Sequence, residues 1–328
     1  MVPEKLKVGD EVRIIAPSRS MAILGEDCKK LATERLESLG LKVSFGKHVM
    51  EFDPDSFSTT IENRLEDLHD AFRDKNVKAI LTVIGGFNSN QLLDYIDYDL
   101  IKNNPKIFCG YSDITALSNA IYARTGLVTY SGSHYSSFGM LKGFEYEFEA
   151  FKKMFFQEEE IEIKSSDEWS DDAWFMDQEN REFIPNEGMY IINKGKAEGK
   201  IVGGNLCTLN LLQGTKYMPD ITDSILFLED DNMAGKLFFV EFDRNLQSLM
   251  HLPEFKTVRG IVIGRNEKGC EMTKEKWTKL IKGKKELSNI PVIAGADFGH
   301  STPRFDFPVG GKAVLDATGE EIKLTIKG

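Results

Sequence analysis

No stretch of this sequence is apolar for long enough to span a bilayer as a helix, and Met1-Val2-Pro3-Glu4-Lys5-Leu6-Lys7 runs into the first strand without an apolar signal segment. The reading is a chain without membrane segments, expected in the cytoplasm. Basic residues are outnumbered, 41 Lys and Arg against 52 Asp and Glu, and no Lys/Arg-rich stretch offsets the net charge of −11. Such a field repels a phosphate backbone, so nucleic acid is excluded as a partner. Cysteine is scarce: Cys28, Cys109, Cys207 and Cys270 show no CxxC spacing, and a chain this long needs no disulfide staples. They read as reduced packing residues, and neither a metal nor a cofactor is expected. Internal repeats and low-complexity segments are also missing.

What is present is ample core material. With 328 residues and 41% apolar content, two domains are the natural division. The first half alternates strand and helix. Glu11–Ala16 reads as a strand, Cys28–Leu39 as a helix stopped by Gly40, and Leu41–Phe45 as a strand. Ser58-Thr59-Thr60 with Glu62 resembles a capping box opening a helix that carries Leu65, Leu68 and Phe72 on one face. Val77–Ile84 is a buried-type strand ending in Gly85-Gly86, and Asn88-Ser89-Asn90 precedes an expected helix through Leu92, Leu93 and Ile96. This rhythm predicts an α/β fold with a parallel sheet, in which ligands sit at the carboxyl ends of the strands.

Between about residues 141 and 185 the composition shifts, and the acidic stretch Glu158–Glu182 holds Trp169, Trp174 and Phe175. A charged connector bearing aromatics is either a linker anchored by its rings or a lid that touches ligand. The expected division is therefore 1–150, a connector at 151–185, and 186–328. In the last part, Lys200–Asn205 leads into a helix, and Ser224–Leu228 is a strand ending in Glu229-Asp230-Asp231. Val258–Ile263 and Ile290–Ala294 are further strands around a helix near Trp277 and Leu280, and Lys312–Ile326 reads as a hairpin turning at Thr318-Gly319.

Chemistry gathers at Lys106–Leu117, where Gly110-Tyr111-Ser112-Asp113 sits at the corner between an apolar strand and a helix. A serine hydroxyl is a useful nucleophile only when a turn presents Oγ to a base and leaves N–H groups free for an oxyanion. Ile114 stands where G-x-S-x-G has its second glycine, and the local pattern alone favours Ser112 or Asp113 as a cap of the following helix. His300, on a loop after a strand, is the candidate base, with His134 the runner-up. Glu229, at a strand end, is the candidate orienting acid.

Ile84-Gly85-Gly86, Gly110-Tyr111-Ser112-Asp113, Gly203-Gly204-Asn205-Leu206, Leu226-Phe227-Leu228-Glu229-Asp230 and Phe298-Gly299-His300, in this order and spacing, resemble the LD-carboxypeptidase family of serine peptidases over nearly the whole chain. Gly85-Gly86-Phe87-Asn88-Ser89-Asn90 and Tyr95-Ile96-Asp97-Tyr98-Asp99 resemble its microcin C self-immunity branch. The murein tetrapeptide enzymes typically carry Gly-Gly-Tyr-Gly in the first of these segments. The resemblance implies an N-terminal Rossmann-like domain with a parallel sheet, a C-terminal β-rich domain of swivelling-barrel type carrying the acid and the histidine, and a homodimer. It implies Ser112 as nucleophile, His300 as general base, Glu229 as the acid that orients it, and the Gly86 and Asp113 amides as oxyanion donors. Substrate contacts are implied at Gly85, Asn88, Ser89, Trp174 and Asn205, with Trp174 stacking on a base. The spacing around Trp169 and the segment Ser131-Gly132-Ser133-His134-Tyr135 depart from the relatives.

The function expected from this is a serine carboxypeptidase or amidase that detoxifies aminoacyl or peptidyl nucleotide analogues through an acyl-enzyme. One alternative is trimming of murein tetrapeptides in peptidoglycan recycling. Another is a catalytically inactive small-molecule binding protein on the same fold.

Overall fold

The computed structural model describes residues 1–327. Two sheets organise it. The first contains β1 (Glu11–Ile15), β2 (Lys42–Phe45), β3 (Val77–Thr82), β4 (Ile107–Cys109) and β5 (Thr129–Ser131), all parallel to their neighbours. Five helices accompany them: α1 (Glu26–Ser38), α2 (Ile61–Arg73), α3 (Tyr98–Asn103), α4 (Thr115–Thr125) and α5 (Glu145–Phe156). The apolar residues of β3 and β4 pack into clusters on both faces of the sheet, Val77, Ile80 and Phe108 on one side and Ala79, Leu81, Ile107 and Cys109 on the other.

The connector supplies β6 (Ile161–Ile163) and a small ribbon of β7 (Glu168–Trp169) with β8 (Ile184–Pro185). The remainder holds β9 (Tyr190–Asn193), β10 (Gly195–Asn205), β11 (Ser224–Glu229), β12 (Gly260–Gly264), β13 (Val292–Ala296), β14 (Phe307–Val309), β15 (Lys312–Ala317) and β16 (Lys323–Lys327), with α6 (Leu206–Asn210), α7 (Phe238–Met250) and α8 (Lys274–Lys282). The second sheet runs β6-β16-β15-β10-β11-β12-β13-β9, and its centre, β10 to β13, is parallel. The hairpin expected at Thr318-Gly319 is β15 paired with β16.

Several expectations are corrected. A boundary at residue 150 would fall inside α5. β14 leaves the second sheet to pair antiparallel with β5 at the edge of the first. The segment after Asn88 is a single 3₁₀ turn, Ser89–Leu92, rather than a long helix. The cap of α2 is Thr60, the last residue of the expected Ser58-Thr59-Thr60 segment, and its hydroxyl accepts from the Asn63 amide.

Candidate active site

Ser112, Glu229 and His300 follow or end β4, β11 and β13, and the two sheets bring these carboxyl ends together. His300 Nε2 lies 3.0 Å from Ser112 Oγ, and its Nδ1 lies 2.7 Å from Glu229 Oε2. Residues 188 positions apart thus meet in one hydrogen-bonded chain. Glu229 is buried, so its carboxylate has little alternative to the imidazole.

Ser112 has φ of +61°, a left-handed conformation that costs an L-residue on the order of 1 to 3 kcal/mol. It is not a helix cap: the 3₁₀ turn Ser112–Ile114 and then α4 follow it, and no side-chain cap is made there. The corner is tight because Gly85 backs onto it; a Cβ at 85 would fall 2.8 Å from Ser112 Cβ. Asp113 is buried and accepts from Ser18 Oγ at 2.6 Å, the Ser89 amide at 2.9 Å and the Asn88 amide at 3.1 Å. Its carboxylate ties the Gly85-Gly86 loop to the nucleophile corner, which fixes where the Gly86 amide points.

Three of the expected substrate contacts make hydrogen bonds within the protein. Ser89 is fully buried and donates to the Asp113 carbonyl at 2.7 Å. The Asn88 amide side chain donates to Ser58 Oγ at 3.0 Å while its carbonyl oxygens accept from Arg64. Asn205 is buried as the cap of α6, accepting from the Thr208 amide at 3.0 Å and donating to Asp230 at 3.1 Å. Ser89 and Asn205 are buried and Asn88 is half-buried. Gly85 and Trp174, in contrast, line the cleft above Ser112, whose volume is about 350 Å³. Trp169 stays out of it, stacked on the Arg265 guanidinium at 5.1 Å.

The cleft also contains residues that pattern reading passed over. Tyr111 is flanked by the His134 ring at 4.4 Å and the Arg304 guanidinium at 4.4 Å, and meets the edge of His300 at 5.4 Å. Arg304 pairs with the buried Glu147 at 3.4 Å. Arg19 Nε donates to the Gly85 carbonyl at 3.0 Å, and Glu267 lies on the same wall as His300. Only the apolar-strand-then-loop placement of Glu267, after β12, matches the signal that singled out Glu229 and His300.

Electrostatics separates the two histidines. Burial pushes His134 well below the usual imidazole value, and the nearby Arg304 and Arg19 cations push the same way, so it stays neutral. Burial also acts to lower His300, but Glu229, with Asp231 and Glu267 beyond it, outweighs that and raises it to about 9. Burial raises Glu267 to about 7 and Asp230 to about 7.

A serine, a histidine and a carboxylate in one hydrogen-bonded line, with free space above the hydroxyl, is the arrangement of a serine hydrolase. The chain matches the LD-carboxypeptidase N-terminal domain over residues 12–132 and the LD-carboxypeptidase C-terminal domain over residues 198–315. It belongs to the LD-carboxypeptidase family and is a serine-type carboxypeptidase. YocD of Bacillus subtilis (strain 168), whose name assigns it provisionally to the carboxypeptidases, is 52% identical over 97% of this chain and 96% of its own length. The crystal structure of an MccF-like protein from Bacillus anthracis superposes with a TM-score of 0.98 at 55% identity, covering 99% of both chains. The microcin C7 self-immunity protein MccF of Escherichia coli is 32% identical over 98% of this chain and 94% of its own length. Its complex with aspartyl sulfamoyl adenosine superposes with a TM-score of 0.87, covering 100% of this chain and 98% of that one. A relative from Bacillus subtilis named for murein peptide carboxypeptidase activity is 34% identical over 96% of this chain and 91% of its own length.

Proposed function

We propose that the chain hydrolyses the amide-type bond between an aminoacyl or peptidyl group and a nucleotide-like moiety, with Ser112 as nucleophile. Its hydroxyl attacks the carbonyl carbon while His300 Nε2 takes the proton, and Glu229 holds the imidazole with Nδ1–H toward itself and stabilises the cation. The Gly86 and Asp113 amides receive the oxyanion; among the described residues neither donates a hydrogen bond to the protein. His300 then protonates the leaving group, and water releases the acyl group by the reverse proton path. The carrying observation is the 3.0 Å and 2.7 Å chain through His300.

The nucleotide side of the reading is supported by Trp174, which lines the cleft, and by the aminoacyl sulfamoyl nucleosides in the MccF complexes. A murein peptide substrate is the second reading, favoured by the relative of that name. Purified protein offered aspartyl sulfamoyl adenosine and a murein tetrapeptide separates the two: cleavage of the first is expected, and cleavage of the tetrapeptide alone would replace this reading with the second. Hydrolysis of either substrate also sets aside the alternative of an inactive binding protein. The proposal extends to a homodimer acting in the cytoplasm; Met233, Leu237 and Val240 expose apolar surface of the kind protomers cover, and among the described residues no helix is long and apolar enough to cross a membrane.

A further inference from the structure

The charged side chains lining the catalytic cleft are matched, with one exception. Asp172 pairs with Arg181 at 2.9 Å, and Asp171 takes the Lys268 amide at 2.6 Å and its ammonium at 3.4 Å. Arg304 has Glu147 and the face of Tyr111, and Arg19 has the Gly85 carbonyl. Glu267 has no lysine or arginine partner among the described residues, although Lys268 is its neighbour in sequence. One of its oxygens, Oε2, is held at 2.9 Å by the Asn232 amide, which fixes the carboxyl group on the wall shared with His300. Oε1 makes no hydrogen bond among the described residues.

A pinned carboxylate with one idle oxygen, half-buried beside a nucleophile, is built to receive a cation from outside. We propose that Glu267 is the acceptor for a free amino group on the acyl part of the substrate. This deepens the reading of Ser112 as an acylating nucleophile and rests on it. An aminoacyl group attached through its carbonyl carries its α-ammonium one carbon from the bond that Ser112 attacks, so a fixed acid in the same cleft orients that carbonyl as well as holding the charge. An N-blocked acyl group offers Glu267 no charge and leaves its oxygen desolvated. The raised affinity of this carboxyl group for protons, caused first by burial, fits a site completed by a substrate cation.

The test uses the full chain with Ser112→Ala, so that ligands are bound and not consumed. Aspartyl sulfamoyl adenosine and its N-acetyl derivative are titrated by calorimetry into this protein and into the same protein carrying Glu267→Gln. Glutamine keeps a carbonyl oxygen for the Asn232 amide, and an unchanged melting temperature checks the fold. The parent is expected to prefer the free amine by roughly tenfold or more, and the Gln variant to lose that preference while binding adenosine monophosphate as before. A preference that survives Glu267→Gln, or a parent that binds both compounds equally, overturns the proposal. Should neither sulfamoyl compound bind the parent, the proposal is overturned as well. Failure of the nucleophile reading is seen separately, as turnover that survives Ser112→Ala.

Discussion

Glu229 and Gly299 are fitted to each other: a Cβ at position 299 would lie 2.8 Å from Glu229 Oε2, the same oxygen that holds His300. Gly299 also has φ of +108°, where side chains are strained whatever the space. The Gly299→Ala protein should therefore fold but lose alignment of the imidazole. A kcat lower by about a hundredfold is expected, since displacement of about 1 Å costs that much, with KM little changed. Steady-state kinetics on aspartyl sulfamoyl adenosine checks it.

The surroundings of His300 set the pH dependence. As a base it works only when neutral, and its value of about 9 in the free protein means that kcat/KM should rise with pH until about that point. Burial acts to lower it, and Asp231 is, after Glu229, one of the carboxylates that raise it. Asp231→Asn keeps an oxygen for the Met233 amide, which Asp231 now caps at 2.9 Å, and should move the acid limb of the profile to lower pH. An unmoved limb would show that another group governs it.

Trp174→Ala removes the ring on which a base would stack. The loss is about 1 to 3 kcal/mol, so KM for nucleotide-bearing substrates should rise by about 5- to 150-fold while hydrolysis of a tetrapeptide is unaffected. Equal losses on both would make Trp174 a structural anchor of the connector.

Glu147 gives a stability signature. Burial first, and Asp306 after the opposing Arg304, leave its carboxyl group at about 7 against an ordinary 4.5. The folded state thus binds this proton more tightly than the unfolded chain does, and the stability it contributes is complete below about pH 4.5 and lost as pH rises through about 7. The loss is roughly 3 kcal/mol. Denaturant unfolding at pH 5 and pH 8 should show a larger loss in the wild type than in Glu147→Gln, the remainder coming from Asp230 and Glu267.

The local pattern made the fold legible and marked three side chains where apolar strands give way to loops, but only the family resemblance joined those three into one site. The sequence does not carry distances, and closure of the chain through His300 depended on two sheets meeting. Asn88, Ser89 and Asn205 have structural partners that the sequence did not show. Short polar residues beside a glycine loop look like ligand contacts, yet here their hydrogen bonds go to Asp113, Asp230 and local backbone. Arg304 and Glu147 gave no signal, since a buried ion pair between positions 157 apart has no local pattern (304 against 147). β14 was hidden likewise, its partner β5 lying far earlier in the chain.

Hydrolysis of aspartyl sulfamoyl adenosine by the Ser112→Ala protein tests the central claim most directly. The left-handed corner remains in this variant and only the hydroxyl is lost, so a folded protein with kcat lower by at least about a thousandfold is predicted. Turnover equal to that of the wild type would contradict the assignment of Ser112 as the attacking group.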